Sequence, residues 1–186
     1  MPVTVQPTEI QDVLVVQTGL VRDDRGYFAE TWSATEFARA GLDAGFLQDN
    51  LSESAEGTLR GLHYQLAARG MAKLVRAVRG SVFDVAVDLR RGSPTFGRWV
   101  GRVLSAENRL CLWVPVGFAH GFLALEPGTL VHYKCTDTHA PEAERAVHHA
   151  DPAIGIAWPS TPRLVSPKDA AAPPLAEAEY DFVYGG

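Results

Sequence analysis

Residues 60–65 read Arg-Gly-Leu-His-Tyr-Gln, and Lys73 follows ten positions after the histidine, so His63 and Lys73 fall on neighbouring predicted strands. A neutral imidazole removes a proton, and a lysine ammonium holds the negative charge that removal creates. That pairing suits a carbon acid next to a carbonyl. A second histidine, His120, lies in the run from Pro115 to Phe122, just after a tight turn that opens another strand. Tyr133 shares a strand face with Val131, where a hydroxyl in a polar cavity could give up a proton. Each residue also has an ordinary alternative. Lone strand histidines are more often hydrogen-bonded structural groups, and buried tyrosines that only satisfy a hydrogen bond are commoner than acids. Their coincidence in one strand-rich chain singles them out.

The elements that must position these groups are read from period-two alternation. Between Ser81 and Arg90, the residues Phe83, Val85, Val87 and Leu89 share one face and Asp84, Asp88 and Arg90 the other, the pattern of a half-buried strand. Similar runs cover 12–17, 26–32, 46–53, 58–66, 73–79, 96–104, 109–114, 118–125 and 129–136, separated by turn formers such as Asp24 to Gly26 and Arg79-Gly80. So many short strands imply an all-β sandwich or jelly roll. One helix is predicted, because Ser33 and Glu36 form a capping-box pattern, Phe37 supplies an apolar contact and Gly41 a stop. Beyond Pro152, proline and alanine accumulate, which predicts a wrapped tail over 152–186 with a helical turn or two.

Two strands have polar residues whose direction is informative. Gln48, Asn50 and Ser52 share one face and Leu47 and Leu51 the other; if the leucine face is packed, the amides line solvent or an internal cavity. In 58–66, strict alternation sets Arg60 opposite His63. If both serve one site, Gly61 must bulge, or Arg60 must work at a rim or subunit contact.

Bulk properties bound the function. The 186 residues suffice for one domain over 1–186, with no linker or charge block to divide it. A net charge of −5 gives no global attraction to nucleic acid or acidic membranes, and no local basic patch offsets it. The first ten residues lack the features of a signal peptide and no apolar run could span a bilayer, so a soluble, unexported, cytoplasmic protein is expected. Cys111 and Cys135 sit in apolar strands, as reduced core thiols would.

With Arg-Gly-Leu-His-Tyr-Gln at 60–65, Gln48-Asp-Asn50, Ser93-Pro-Thr-Phe-Gly97 and Pro115 to Phe122, the chain resembles the dTDP-4-dehydrorhamnose 3,5-epimerase family of the cupin superfamily. Asp24-Arg25-Gly26 and Ser166-Pro-Lys-Asp169 complete a similarity running from about Val13 to Asp169. The resemblance implies a homodimeric cupin jelly roll with a few short peripheral helices, acting on dTDP-4-dehydro-6-deoxy-D-glucose to give dTDP-4-dehydro-L-rhamnose. It implies that His63 is the base, held by Asp169, that Tyr133 is the acid across the sugar ring, and that Lys73 stabilises the enolate. His120 would lie near the hexose and Arg60 would bind the diphosphate. Arg25, Glu30, Gln48, Asn50, Glu144 and Lys168 match positions that contact the nucleotide sugar.

No cofactor is implied. Many cupins hold a metal through a His-x-His pair, a glutamate and a later histidine, but Gln65 stands where the second histidine would be, and His63 with His120 are too few. One departure concerns the base. Where the family usually has a tyrosine that stacks on thymine, this chain has His139, whose imidazole offers the base less stacking area than a phenol. Two rivals remain at this stage: an epimerase that inverts a single carbon, and a silent cupin that only binds a sugar nucleotide.

Overall fold

The computed structural model describes residues 1–185, and its strands follow the alternating runs. In chain order they are β1 (Val3–Pro7), β2 (Leu14–Thr18), β3 (Leu20–Asp23), β4 (Gly26–Ala29), β5 (Gln48–Ser54), β6 (Thr58–Gln65) and β7 (Lys73–Arg79). There follow β8 (Ser81–Asp88), β9 (Trp99–Ser105), β10 (Leu110–Val114), β11 (Phe118–Ala124), β12 (Thr129–Cys135), β13 (Glu144–Ala146) and β14 (Leu164–Val165). The helices α1 (Ala34–Arg39) and α2 (Pro167–Ala170) are short.

One sheet has the order β1-β2-β10-β7-β12-β5 and the other β13-β6-β11-β8-β9, with β14 added in parallel to β6 and β3-β4 forming a separate hairpin. This is an all-β jelly-roll sandwich. Val75, Leu112 and Val131 from the first sheet meet Ala86, Leu104 and Phe122 from the second in the core between them. A second cluster covers the other face of the second sheet, where Leu62, Val85, Val87 and Leu89 pack under Ile154, Leu175 and Phe182 from the C-terminal stretch. A third holds α1 through Phe37 against Val16, Leu74 and Cys111.

Two expectations need correction, and an alternative left open on β5 is resolved. The strand at 81–88 is not half-buried: Asp84 and Asp88 are 0% exposed and share the inner face with Val82 and Ala86, because the tail covers the opposite face as well. On β5 the leucine face is not the packed one. Leu47 and Leu51 are 68% and 63% exposed, and it is the amide face that turns inward. At α1 the Ser33 side chain makes no capping bond, and the Glu36 carboxylate, the other half of a capping box, is engaged by Arg39 one turn on. The stop is as expected: Gly41 has φ +91° and the Leu42 N–H reaches back to the Phe37 carbonyl at 2.9 Å, closing the helix as a positive-φ glycine allows.

Candidate active site

A cavity of about 520 Å³ lies between the sheets, lined in part by Arg60, His63, Lys73, His120, Tyr133, Lys168 and Asp169. A second lobe of about 320 Å³, which includes Gln48, Asn50, Cys135, His139 and Glu144, shares His63, Lys73 and Tyr133 with the first. These three shared residues are a candidate base, a cation able to hold negative charge and a candidate proton donor.

Strand register explains how they meet. On the first sheet, Gln48, Cys135 and Lys73 form one rung across β5, β12 and β7, and Asn50 and Tyr133 form the next but one on the same face. On the second sheet His63 pairs with His120 across β6 and β11. His63 and Tyr133 therefore enter the cavity from opposite sheets.

The bulge expected at Gly61 is present. His120 pairs with His63 but Phe122 pairs with Arg60, so β6 spends one more residue than β11 over this stretch and Arg60 and His63 both line the cavity. Gly61 has φ +118°, and a Cβ there would lie 2.5 Å from the Gly121 Cα, so only glycine fits.

Asp169 arrives from the far end of the chain. Ser166 caps α2 by accepting the Asp169 N–H at 3.1 Å, with Pro167 at the first helical position, so one turn of helix presents the carboxylate. Its Oδ1 lies 2.7 Å from His63 Nε2, and its Oδ2 accepts the Gly61 N–H at 3.2 Å. Burial works to raise the Asp169 carboxyl, but the bonds to His63, Gly61 and Ser166 outweigh it and hold the group below the ordinary carboxylate range. A carboxylate fixed on Nε2 sets the imidazole's tautomer and leaves Nδ1 as the nitrogen for other partners.

Lys73 and Tyr133 are shifted in opposite directions. Burial pushes the Lys73 ammonium below the ordinary lysine range, and it pushes the Tyr133 hydroxyl up. A depressed lysine and a tyrosine that keeps its proton suit charge stabilisation and proton donation. His120 also falls below the usual histidine range through burial, against the pull of Asp84, whose Oδ1 lies 2.8 Å from His120 Nε2.

At the rim, Arg60 is positioned by Ser54 Oγ at 3.1 Å and the Glu53 carbonyl at 2.9 Å. Glu144 bridges Lys168 at 2.7 Å and His139 at 3.3 Å, and Gln48 accepts the His139 N–H at 2.9 Å. Gln65 is held by the Arg69 and Thr138 carbonyls and the Ala140 N–H, so its amide pins a loop. Among the described residues no three His, Cys, Asp or Glu side chains group as metal ligands would.

Two residues implied by the resemblance are not brought to this cavity. Arg25 is exposed at the tip of the β3-β4 hairpin, paired with Asp23, and Glu30 lies beside the Met1 amine at 3.4 Å. Conversely, Asp84 stands buried behind His120 and bonded to it, a partner the sequence alone did not disclose. Its strand neighbours on the same face, Val82 and Ala86, are apolar, which is the signal that face carried.

A family model described as dTDP-4-dehydrorhamnose 3,5-epimerase matches residues 7–177. The chain belongs to that family. A dTDP-4-dehydrorhamnose 3,5-epimerase of Neisseria gonorrhoeae is 51% identical over 173 residues, which is 92% of this chain and 52% of that protein. The chain thus spans about half the length of that relative. The crystal structure of a Legionella pneumophila dTDP-6-deoxy-D-glucose-3,5-epimerase in complex with dTDP-4-keto-L-rhamnose superposes with a TM-score of 0.90 at 45% identity, covering 94% of both chains. A 3'-monoepimerase from Streptomyces bikiniensis in complex with dTDP-quinovose gives a TM-score of 0.86 at 37% identity, over 92% of this chain and 87% of that one. Membership of the 3,5-epimerase family makes the chain an isomerase and its sandwich a jelly roll of the cupin type. None of its helices is long and apolar enough to cross a membrane among the described residues.

Proposed function

We propose that this chain converts dTDP-4-dehydro-6-deoxy-D-glucose to dTDP-4-dehydro-L-rhamnose, inverting C3 and C5 by proton transfer next to the C4 carbonyl, with no cofactor or metal. The observation that carries this reading is the entry of His63, backed by Asp169, and Tyr133 into one cavity from opposite sheets. An epimerisation needs a base on one face of the ring and a donor on the other. The C4 carbonyl acidifies the hydrogens at C3 and C5. His63 takes the proton, Lys73 meets the negative charge that grows on the C4 oxygen, and Tyr133 returns a proton to the opposite face. The lysine acts mainly in the transition state, because the charge it answers is absent from the ground state. Asp169 orients the base and balances the imidazolium.

Arg60 and Lys168 are the cations available at the cavity mouth for the diphosphate. Gln48, Asn50, Glu144 and His139 would contact the nucleotide sugar, with the His139 ring in the position to stack on the base. Arg25 and Glu30 fit this scheme only if a second copy of the chain supplies them, which is one reason to propose a homodimer, acting in the cytoplasm. The other is the exposed apolar surface formed by Val21, Tyr27, Phe28, Leu51 and Val78.

An NMR time course with dTDP-4-dehydro-6-deoxyglucose in D2O tests the reading. Deuterium should enter at C3 and C5, with both centres inverted in the product; a substrate that binds and exchanges nothing would leave a silent sugar-nucleotide binder. The likeness to a 3'-monoepimerase supports a second reading, inversion at one carbon alone. That reading predicts a product inverted at C3 only, whether or not C5 exchanges.

A further inference from the structure

Asp84 lies on β8 beneath the cavity, 0% exposed, and only one of its oxygens has a partner. Oδ1 is bonded to His120 Nε2 at 2.8 Å, while Oδ2 is enclosed with no hydrogen bond. A carboxylate removed from water with half its bonding capacity unused is costly unless its charge serves something nearby. Its neighbours Val82 and Ala86 offer nothing of that kind, and both are buried in the apolar core. Two groups in the cavity wall do. His120 is bonded to it directly, and the Lys73 ammonium, disfavoured by its burial, is favoured by Cys135, Asp84 and Glu144.

Lys73 shares the cavity wall with Cys135 on β12, Glu144 on β13 and His120 on β11, and Asp84 on β8 stands behind His120, bonded to it. Glu144 is occupied by Lys168 and His139. Burial raises the Cys135 thiol, which keeps it neutral. Asp84 is therefore the carboxylate free to act on the lysine from below. With Nε2 of His120 committed to Asp84, Nδ1 is the nitrogen left for the cavity.

Building on the epimerase reading above, we propose that Asp84 is a positioning residue of the reaction: it fixes His120 with Nε2 protonated and Nδ1 toward the sugar, and it supplies the counter-charge to Lys73 while the enolate forms. It would do for the charge-stabilising wall what Asp169 does for the base. The two dyads differ in setting. Asp169 has donors on both oxygens, whereas the free Oδ2 of Asp84 leaves its field directed at its cationic neighbours.

The test is Asp84→Asn, whose amide carbonyl can still accept from Nε2 but carries no charge. The variant should keep KM within about threefold of wild type and lose roughly 10²-fold in kcat, the scale of removing one charge-stabilising contact. Its basic limb of kcat/KM should move to lower pH by about one unit, because Lys73 loses an opposite charge. A variant with wild-type kcat and an unmoved basic limb overturns the role. Thermal unfolding checks that the variant folds, and a measurement on the wild type stands apart from it. In 15N spectra of histidine-labelled enzyme, assigned with His120→Gln, His120 should carry its proton on Nε2; a proton on Nδ1 instead overturns the proposal. Wild-type protein that inverts neither carbon overturns the epimerase reading and this role with it, whereas wild-type turnover with an indifferent Asp84→Asn overturns this role alone.

Discussion

At the residue scale, the division of labour between His63 and Tyr133 predicts that the two can be separated. Tyr133→Phe keeps the ring and removes the donor. His63 can then still exchange a proton with solvent on its own side, so deuterium should enter the substrate from D2O while inverted product falls by roughly 10²–10⁴-fold. His63→Asn should lose exchange and inversion together. Exchange that survives in His63→Asn at the wild-type rate would move the base elsewhere. The opposite shifts of Lys73 and Tyr133 fix which group ends activity at high pH. Lys73 must be protonated to meet the enolate, and burial lowers its proton affinity below that of an ordinary lysine, whose value is 10.5; Tyr133 is raised above its own 10.0. As pH rises the lysine is the group displaced toward early loss. The basic limb of kcat/KM should therefore lie below 10.5, and Lys73→Arg, which stays charged, should push that limb upward even at reduced kcat.

At the element scale, the cavity depends on one extra residue in β6, and the β8-β9 loop depends on one buried carboxylate at the end of β8. Gly61→Ala would set a Cβ 2.5 Å from the Gly121 Cα and 2.7 Å from the His120 carbonyl, both backbone and unable to yield, at a φ of +118°. The variant should lose about 1–3 kcal/mol of stability from the strained conformation alone, and activity with it, because Arg60 and His63 share the cavity only through this bulge. Denaturant unfolding and the same NMR assay check both. Asp88 anchors the β8-β9 loop, accepting from Arg90, Ser93 and Thr95 at 2.9, 2.6 and 2.6 Å. Burial works to raise its carboxyl, and these bonds more than offset that, leaving it below the unfolded value of 3.8. A group depressed on folding contributes stability above its unfolded value and loses it as pH falls through the folded one. Asp88→Asn should thus cost about 3–5 kcal/mol near neutrality and flatten the loss of stability below pH 3.8, measured by urea unfolding across pH. These two elements also show what a sequence can and cannot disclose. The bulge was legible because Arg60 and His63 sit at odd spacing around a glycine, and Asp169 because its motif matched a family. The inward aspartates were not legible, since alternation reports that two faces differ and not which one meets water. For the same reason the packed face of β5 stayed open in the sequence. The strands β13 and β14, with three and two residues, are too short to show a period at all.

At the scale of the whole molecule, one chain places every proposed binding residue at the cavity except Arg25 and Glu30. Arg25 forms the tip of a hairpin that belongs to neither sheet and exposes Phe28 to 68%, and Glu30 follows its second strand. Near that hairpin, the outer face of the first sheet presents Val78 beside Arg76 and His132, with Leu51 on the adjoining edge strand paired to His132. A second copy docked there by two-fold symmetry would cover the same patch on both partners, since such an interface is self-complementary. Phe28→Asp should then give a monomer by analytical ultracentrifugation, with a melting temperature close to wild type if the side chain serves only the interface. Activity decides whether the hairpin also completes the partner's site. Arg25→Ala and His63→Asn should each be crippled as homodimers. In a mixed dimer, the subunit with intact His63 receives an intact Arg25 from the other, which restores one site of its two. Random assembly makes about half the dimers mixed, so co-expression should recover about a quarter of wild-type activity. If Arg25 acts within its own chain, each mixed subunit keeps one defect and co-expression recovers nothing, so the same experiment sends the hairpin back to the copy that bears it.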